Sequence, residues 1–225
     1  MKMKIDILTL FPNLFAGFLT ESIIKRAILN NLVEINIIDF RNFSPLNNKQ
    51  VDDTPYGGGP GMVIRPEAIF NCLDEIKTND SFVIMLSPSG VTFKQQMAKD
   101  LSLKKHLIFL CGRYEGFDER IKTLVDLELS LGDFVLTGGE VPAMAMVDAI
   151  TRLIPGVINN ESLKDESFND NLLDYPVYTK PQIYRGLKVP DVLLSGNHKL
   201  IEEYRLEQRI KKTNELRPDL RKENN

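Results

Sequence analysis

The stretch TPYGGGPGM, Thr54 to Met62, sets four glycines and a proline into the five positions Gly57 to Gly61. Bare backbone of this kind suits a phosphate cradle, because main-chain N–H groups reach the oxygens without side-chain cover. Neither common phosphate template fits, however. A P-loop ends in Gly-Lys-Ser/Thr, so that a lysine reaches phosphate and a hydroxyl reaches magnesium, whereas Gly61 is followed by Met62. A dinucleotide fingerprint sets its glycines at a strand-to-helix junction, whereas QVDDTPYGGGPG follows a loop. Three other glycine turns each follow an apolar strand pattern: LSPSG at Leu86 to Gly90, CGRYEGFDER at Cys111 to Arg120, and SLGDFVLTGGE at Ser130 to Glu140. Open α/β sheets bind ligands at the carboxyl ends of their strands, so these loops are expected to form one pocket. Its walls offer backbone N–H and C=O groups for an adenine or a ribose and lack an array of Lys and Arg for a triphosphate. Glu115, Asp118, Asp133 and Glu140 make the neighbourhood acidic, which repels ATP and tolerates a cationic sulfonium. Asp118 and Glu119 also read as helix-start residues.

The elements that must carry these loops alternate short apolar runs with helical patterns up to about Pro155, the signature of βα units around a largely parallel sheet. Strands are expected at KIDILTLF, VEINIID, SFVIMLSP, HLIFLCG and LELSLGDFVLT. Helices are expected at LFAGFLTESIIKRAILNN, RPEAIFNCLDEIK, TFKQQMAKDLSL, FDERIKTLVDL and GEVPAMAMVDAITRLI. The apolar periodicity then vanishes from Asn159 to Asn171, which reads as an exposed linker. Beyond it, YPVYTKPQIYRGLKVPDVLLSGN is too proline-rich for a central strand, and HKLIEEYRLEQRIKKTNEL is a helix. The expected organisation is a domain over 1–158, a linker over 159–171 and a small, mostly helical domain over 172–225.

At 225 residues, 43% hydrophobic and 26% charged, the chain can bury a full core. No apolar run approaches membrane-spanning length, and the amino-terminal MKMKIDILTLFPNLF soon interrupts itself with Asp6 and Pro12, so a soluble cytoplasmic protein is expected. Cys72 and Cys111 read as buried reduced thiols. With His106 and His198 as the only histidines, no zinc-ligand spacing exists. The net charge of −3 conceals an asymmetry, for Lys180 to Lys222 carries 11 Lys/Arg against 6 Asp/Glu. Two readings stand: a phosphate-binding module on an acidic body, or a solvated helix of mixed charge.

FRNFSPLNNKQVDDTPYGGGPGMVIRPE, LSPSGVTF, CGRYEGFDER, GDFVLTGGEVPAMAMVDAITRLIPGV, DESF, LLDYPVYTKP and VPDVLLSGNH occur in that order along nearly the whole chain. Together they resemble the successive motifs of the bacterial tRNA (guanine-N1-)-methyltransferase family, TrmD. The resemblance implies a SPOUT-type α/β fold, a parallel sheet with a deep trefoil knot, which is a rare exception to the rule that chains do not thread loops. It implies a homodimer with active sites at the subunit interface. It implies methyl transfer from S-adenosylmethionine to N1 of the guanosine at tRNA position 37, next to a preceding guanosine, with magnesium in support. Neither DNA nor membrane is an implied partner. Carried over by motif, the cofactor site falls on Leu86, Ser87 and Pro88, on Gly112, Tyr114 and Glu115, and on Leu131, Gly132, Asp133, Phe134, Val135 and Leu136. Gly138, Gly139 and Pro142 shape the knot, Arg152 matches the arginine that acts on the target guanine, and Asp174 matches an acidic residue that reaches the partner subunit's cofactor. The family's linker motif ends Glu-Asp-Ser-Phe with the aspartate as base. This chain reads KDESF, which puts Glu166 in that place, with the neighbouring Asp165 as the alternative.

The implied chemistry explains these residue types. N1 of neutral guanine carries a proton and is a poor nucleophile, so a carboxylate must remove it while a cation stabilises charge building on O6. In the basic module, Lys180, Arg185, Lys188, Lys199, Arg205 and Arg209 are candidate phosphate contacts. Gly58 and Gly59 are expected to keep side chains away so that guanines can approach the backbone. Two rival classes are a non-catalytic RNA-binding protein and a glycine-loop nucleotide hydrolase.

Overall fold

Apolar runs rich in Val, Ile and Leu become the strands of one parallel sheet, and the loops between them decide where a ligand can sit. The computed structural model describes residues 2–159, 163 and 166–224. The chain divides into two units, Met1–Ile158 and Asn159–Asn225.

The first unit runs β1 (Met3–Thr9), α1 (Ala16–Thr20), α2 (Ser22–Leu29), β2 (Val33–Asp39), β3 (Asp52–Asp53), β4 (Val63–Ile64), α3 (Pro66–Ile76), β5 (Ser81–Thr92), α4 (Gln95–Ser102), β6 (His106–Cys111), β7 (Leu127–Ser130) and α5 (Glu140–Thr151). Five of these strands form a sheet of order β2-β1-β6-β5-β7, with every neighbouring pair parallel. The short β3 and β4 pair antiparallel beside it. Side chains alternate between two cores, as the period of two requires. Leu107, Phe109 and Cys111 pack with Ala98, Met146 and Ile150 on one face, while Ile108 and Leu110 pack with Ile69, Cys72 and Leu73 on the other. Burial on both faces is why these strands read as unbroken apolar runs.

One polar row crosses this core. Asp6 is fully buried, and it accepts hydrogen bonds from Asn36 Nδ2 at 2.8 Å and pairs with His106 Nε2 at 2.8 Å and Lys4 Nζ at 2.9 Å. His106 Nδ1 in turn lies 2.7 Å from Ser81 Oγ, so the row links four adjacent strands. Burial pushes the Asp6 carboxyl up, but the partners His106, Asn36 and Lys4 outweigh it and hold the group below its ordinary value. A carboxylate with a depressed folded pKa contributes stability that is present above its unfolded pKa of about 3.9 and lost as pH falls through the folded value. Asp6→Ala leaves the buried His106 and the Asn36 amide without their carboxylate partner and is expected to cost roughly 2 kcal/mol. Urea titrations at pH 7 and pH 3 check both statements: the gap between wild type and variant should narrow at the lower pH.

Three elements differ from the sequence expectation. The long helix over 14–31 breaks at Glu21, which is extended, and at Ser22, whose φ is +52°. Thr20 Oγ1 donates to Ala16 O at 2.8 Å, a local bond that competes with helix propagation. The strand expected over 127–137 stops at Ser130, whose Oγ accepts from Gly132 N and donates to Gly132 O, turning the chain. The FDERIKTLVDL helix is only a 3-10 turn, Glu119–Leu124, capped by Asp118.

The second unit contains a two-stranded hairpin, β8 (Ile183–Tyr184) with β9 (Leu187–Lys188), and α6 (His198–Leu216), whose first turn is capped by the Asn197 side chain.

Candidate functional site

Where β5, β6 and β7 end, their loops and the start of α5 enclose a cavity of ≈ 360 Å³. The first wall arises because β5 does not stop at Leu86. Leu86 and Val91 both face Leu129 of β7, so residues 87–90 arch out of the ladder. A Cβ on Gly90 would lie 2.5 Å from Leu129 N, so only glycine lets the arch close onto β7. Ser89 Oγ donates to Glu128 Oε1 at 2.9 Å and pins the arch. Burial raises the Glu128 carboxyl, but bonds from Ser87 and Ser89 and the Lys122 charge prevail and keep it below its ordinary value.

The second wall is the loop after β6. Tyr114 has φ +58°, the left-handed region that side chains rarely occupy, and strain of this kind persists only where surroundings dictate it. Here the loop is tied to the segment after the glycine run, through Glu115 N to Met62 O at 3.0 Å and Ile64 N to Gly116 O at 2.9 Å. A Cβ on Gly61 would strike the Glu115 side chain. The third wall leads into α5, where Gly139 N donates to Gly112 O at 2.9 Å.

A buried ion pair locks the second and third walls together. Arg113 reaches Glu140 at 2.9 Å and donates to Thr137 O at 3.1 Å, and its guanidinium lies over the Phe11 ring at 4.5 Å. Glu140 is 1% exposed and also accepts from Thr9 Oγ1 at 2.8 Å. Arg113→Ala leaves the Glu140 carboxylate buried without its counter-charge and is expected to lower stability by roughly 3 kcal/mol. A reduced urea midpoint checks this. Arg113→Lys should recover only part of the loss, since an ammonium cannot hold both partners in the same fork.

All the cofactor candidates of the first unit line the cavity except Gly132 and Asp133, which turn the loop without facing it. The acidic character comes from different residues than expected. Of Glu115, Asp118, Asp133 and Glu140, only Glu115 lines the cavity, joined by Glu119 and Glu128. Asp118 instead pairs with Arg120 at 2.8 Å. The lining cations Arg113 and Lys122 are both engaged by carboxylates, Lys122 with Glu119 at 3.1 Å. Nothing in the spacing of LELSLG marks Glu128 as a lining residue, because the β5 arch that meets it appears only in the folded sheet.

Arg152 is the residue that follows the last turn of α5. Asp174 and Glu166 lie in the second unit, and Asp165 lies outside the described residues. Asp174 pairs with Lys212 at 2.6 Å, the first cause of its lowered pKa. The RNA candidates divide. Lys180, Arg185, Lys188 and Lys199 are exposed, whereas Arg209 is 8% exposed and donates to Leu173 O and Asn169 O. Arg205 is half-buried, with its guanidinium 4.7 Å from the Tyr175 ring. Arg209 and Arg205 thus both make contacts within their own unit. Gly57, Gly58 and Gly59 all have positive φ and open space beyond their Cα atoms. Among the described residues no helix is long and apolar enough to cross a membrane.

A parallel α/β sheet whose carboxyl-end loops enclose a backbone-walled, acidic cavity defines a protein of the class that binds nucleoside-type cofactors. The model of the family tRNA (Guanine-1)-methyltransferase TrmD matches residues 3–223, and the chain belongs to that family. It is 56% identical over 218 residues to a tRNA (guanine-N(1)-)-methyltransferase of Malacoplasma penetrans, covering 97% of this chain and 96% of that relative. A protein of the same name from Latilactobacillus sakei is 53% identical over 222 residues, covering 97% of this chain and 90% of the relative.

Proposed function

We propose that this protein transfers a methyl group from S-adenosylmethionine to N1 of guanosine 37 in tRNAs that carry a guanosine before it. The observation that carries this reading is the convergence of the three glycine loops on one cavity in a chain of the TrmD family. Backbone at Gly112 and Gly139 and the apolar side chains of Leu86, Leu131, Leu136 and Pro142 suit an adenosine, and the lining carboxylates suit a cation. When bound, S-adenosylmethionine supplies an electrophilic methyl group on positive sulfur. The engaged cations, Arg113 and Lys122, leave little to hold a triphosphate, which disfavours the hydrolase class.

Glu166, or Asp165 beside it, would take the proton from guanine N1, and Arg152 would stabilise the charge that forms on O6. Helix α5 supports the proposed homodimer. Pro142 lines the cavity at its start, and Arg152 follows ten residues on, about 15 Å along the axis. A site that uses both is therefore best completed by a second copy. Val141 at 54% exposed, with Phe11 and Leu14, gives that copy an apolar face to cover. The trefoil knot would be tied where Gly139 passes against Cys111 and Gly112. Among the described residues no group of three or more His, Cys, Asp or Glu gathers as a metal site. Magnesium would support the transfer. The open run at Gly58 and Gly59 would admit the anticodon loop, and the second unit would grip the stem through Lys180, Lys188 and Lys199.

Methyl transfer from labelled S-adenosylmethionine to two tRNA transcripts, one with guanosine and one with adenosine at position 37, tests the reading. Labelling confined to the first is expected; equal labelling of both would refute the target.

A further inference from the structure

The hairpin of the second unit carries an arrangement that phosphate binding does not explain. From Tyr175 to Pro190 the chain contains Lys180, Arg185 and Lys188 and no Asp or Glu. Its tip leaves Ile183, Tyr184 and Leu187 at 54, 60 and 77% exposed. The Arg185 guanidinium lies 5.4 Å from the centre of the Tyr184 ring. The two turn residues are Arg185 with φ +50° and Gly186 with φ +80°. Positive φ at both centres is the geometry of a two-residue hairpin turn that favours Asn or Gly at the first position. Arginine there is strained, and its side chain is exposed beside Tyr184.

We infer that Tyr184, backed by Arg185, is a stacking platform for an unpaired base of the RNA, separate from the methylated guanine. This deepens the tRNA reading and rests on it. The cation lies against the tyrosine and strengthens it as a stacking surface, while the exposed ring remains available to a base. Unpaired loop bases are what proteins stack on aromatic and guanidinium planes, whereas paired RNA offers only phosphates and a shallow groove. A tip bearing cations, an aromatic and no carboxylate complements RNA better than it complements a second copy of a chain with net charge −3.

The test measures binding of an anticodon stem–loop RNA and of a fully paired duplex of equal length at several salt concentrations. Tyr184→Ala is expected to weaken stem–loop binding about tenfold with an unchanged salt slope, and to leave duplex binding as it was. Tyr184→Phe should restore the affinity. Lys188→Ala should weaken both RNAs and reduce the salt slope by about 1. Arg185→Asn should raise thermal stability by relieving the turn while weakening the stem–loop. Equal loss on both RNAs, or no loss with Tyr184→Ala, overturns the platform. So does a Tyr184→Ala protein that changes its oligomeric state in sedimentation, which would assign the tip to a second copy. Wild type that binds neither RNA would instead remove the tRNA reading itself.

Discussion

Gly139→Ala is expected to lose about a hundredfold in S-adenosylmethionine affinity, an effect that follows directly from the cavity wall. The backbone at Gly139, φ −79° and ψ −7°, is ordinary for any residue, so conformational freedom is not the reason for glycine. Space is the reason. A Cβ there would lie 2.7 Å from Cys111 Cα and 3.0 Å from Gly112 N, both of them backbone that no rotamer change can move. The wall must open, and the Gly139 N to Gly112 O bond must stretch with it. Overpacking of this order costs about 3 kcal/mol, which is about a hundredfold in a dissociation constant. Gly17→Ala is the control, since nothing lies within 4 Å of its Cβ. Isothermal titration should separate the two variants cleanly. Affinity for Gly139→Ala within threefold of wild type would mean that the third wall does not touch the cofactor.

Arg152→Ala is expected to slow methyl transfer by about 10²- to 10³-fold, the range for removing one preorganised group that stabilises developing negative charge. Arg152 does not line the cavity, so S-adenosylmethionine affinity should stay within about twofold of wild type while single-turnover transfer collapses. Loss of binding and rate together would reassign Arg152 to the cofactor. Glu166→Ala and Asp165→Ala complete the comparison. The variant whose rate falls with Arg152→Ala identifies the base, and full rate in Glu166→Ala with none in Asp165→Ala would reverse the assignment made from KDESF.

The parts of the site that lie on consecutive residues were legible in the chain, because strand-end glycine loops have a local composition. Leu86, Gly112, Tyr114, Leu136 and Gly139 fall into this class, and all line the cavity. The helix His198–Leu216 was legible for the same reason, its polar and apolar residues and its Asn197 cap being local features. Residues that meet only across the sheet were not. Glu128 reaches Ser89 because β5 arches over β7, and Arg113 reaches Glu140 because two loops 27 residues apart close on one another.

Arg205 and Arg209 show the same limit from the other side. In sequence they are cations in a basic stretch, indistinguishable from Lys199. Only the docking of residues 169–175 against α6 buries one and half-buries the other. The sequence by itself determined the family, the alternation that builds a parallel sheet, and the glycine loops at its carboxyl ends, because periodicity and motif order are written in neighbouring residues. The tertiary structure alone decided which charges face the cavity and which are spent inside the fold. That depends on burial and on pairing across strands, and neither is a property of any short segment of chain.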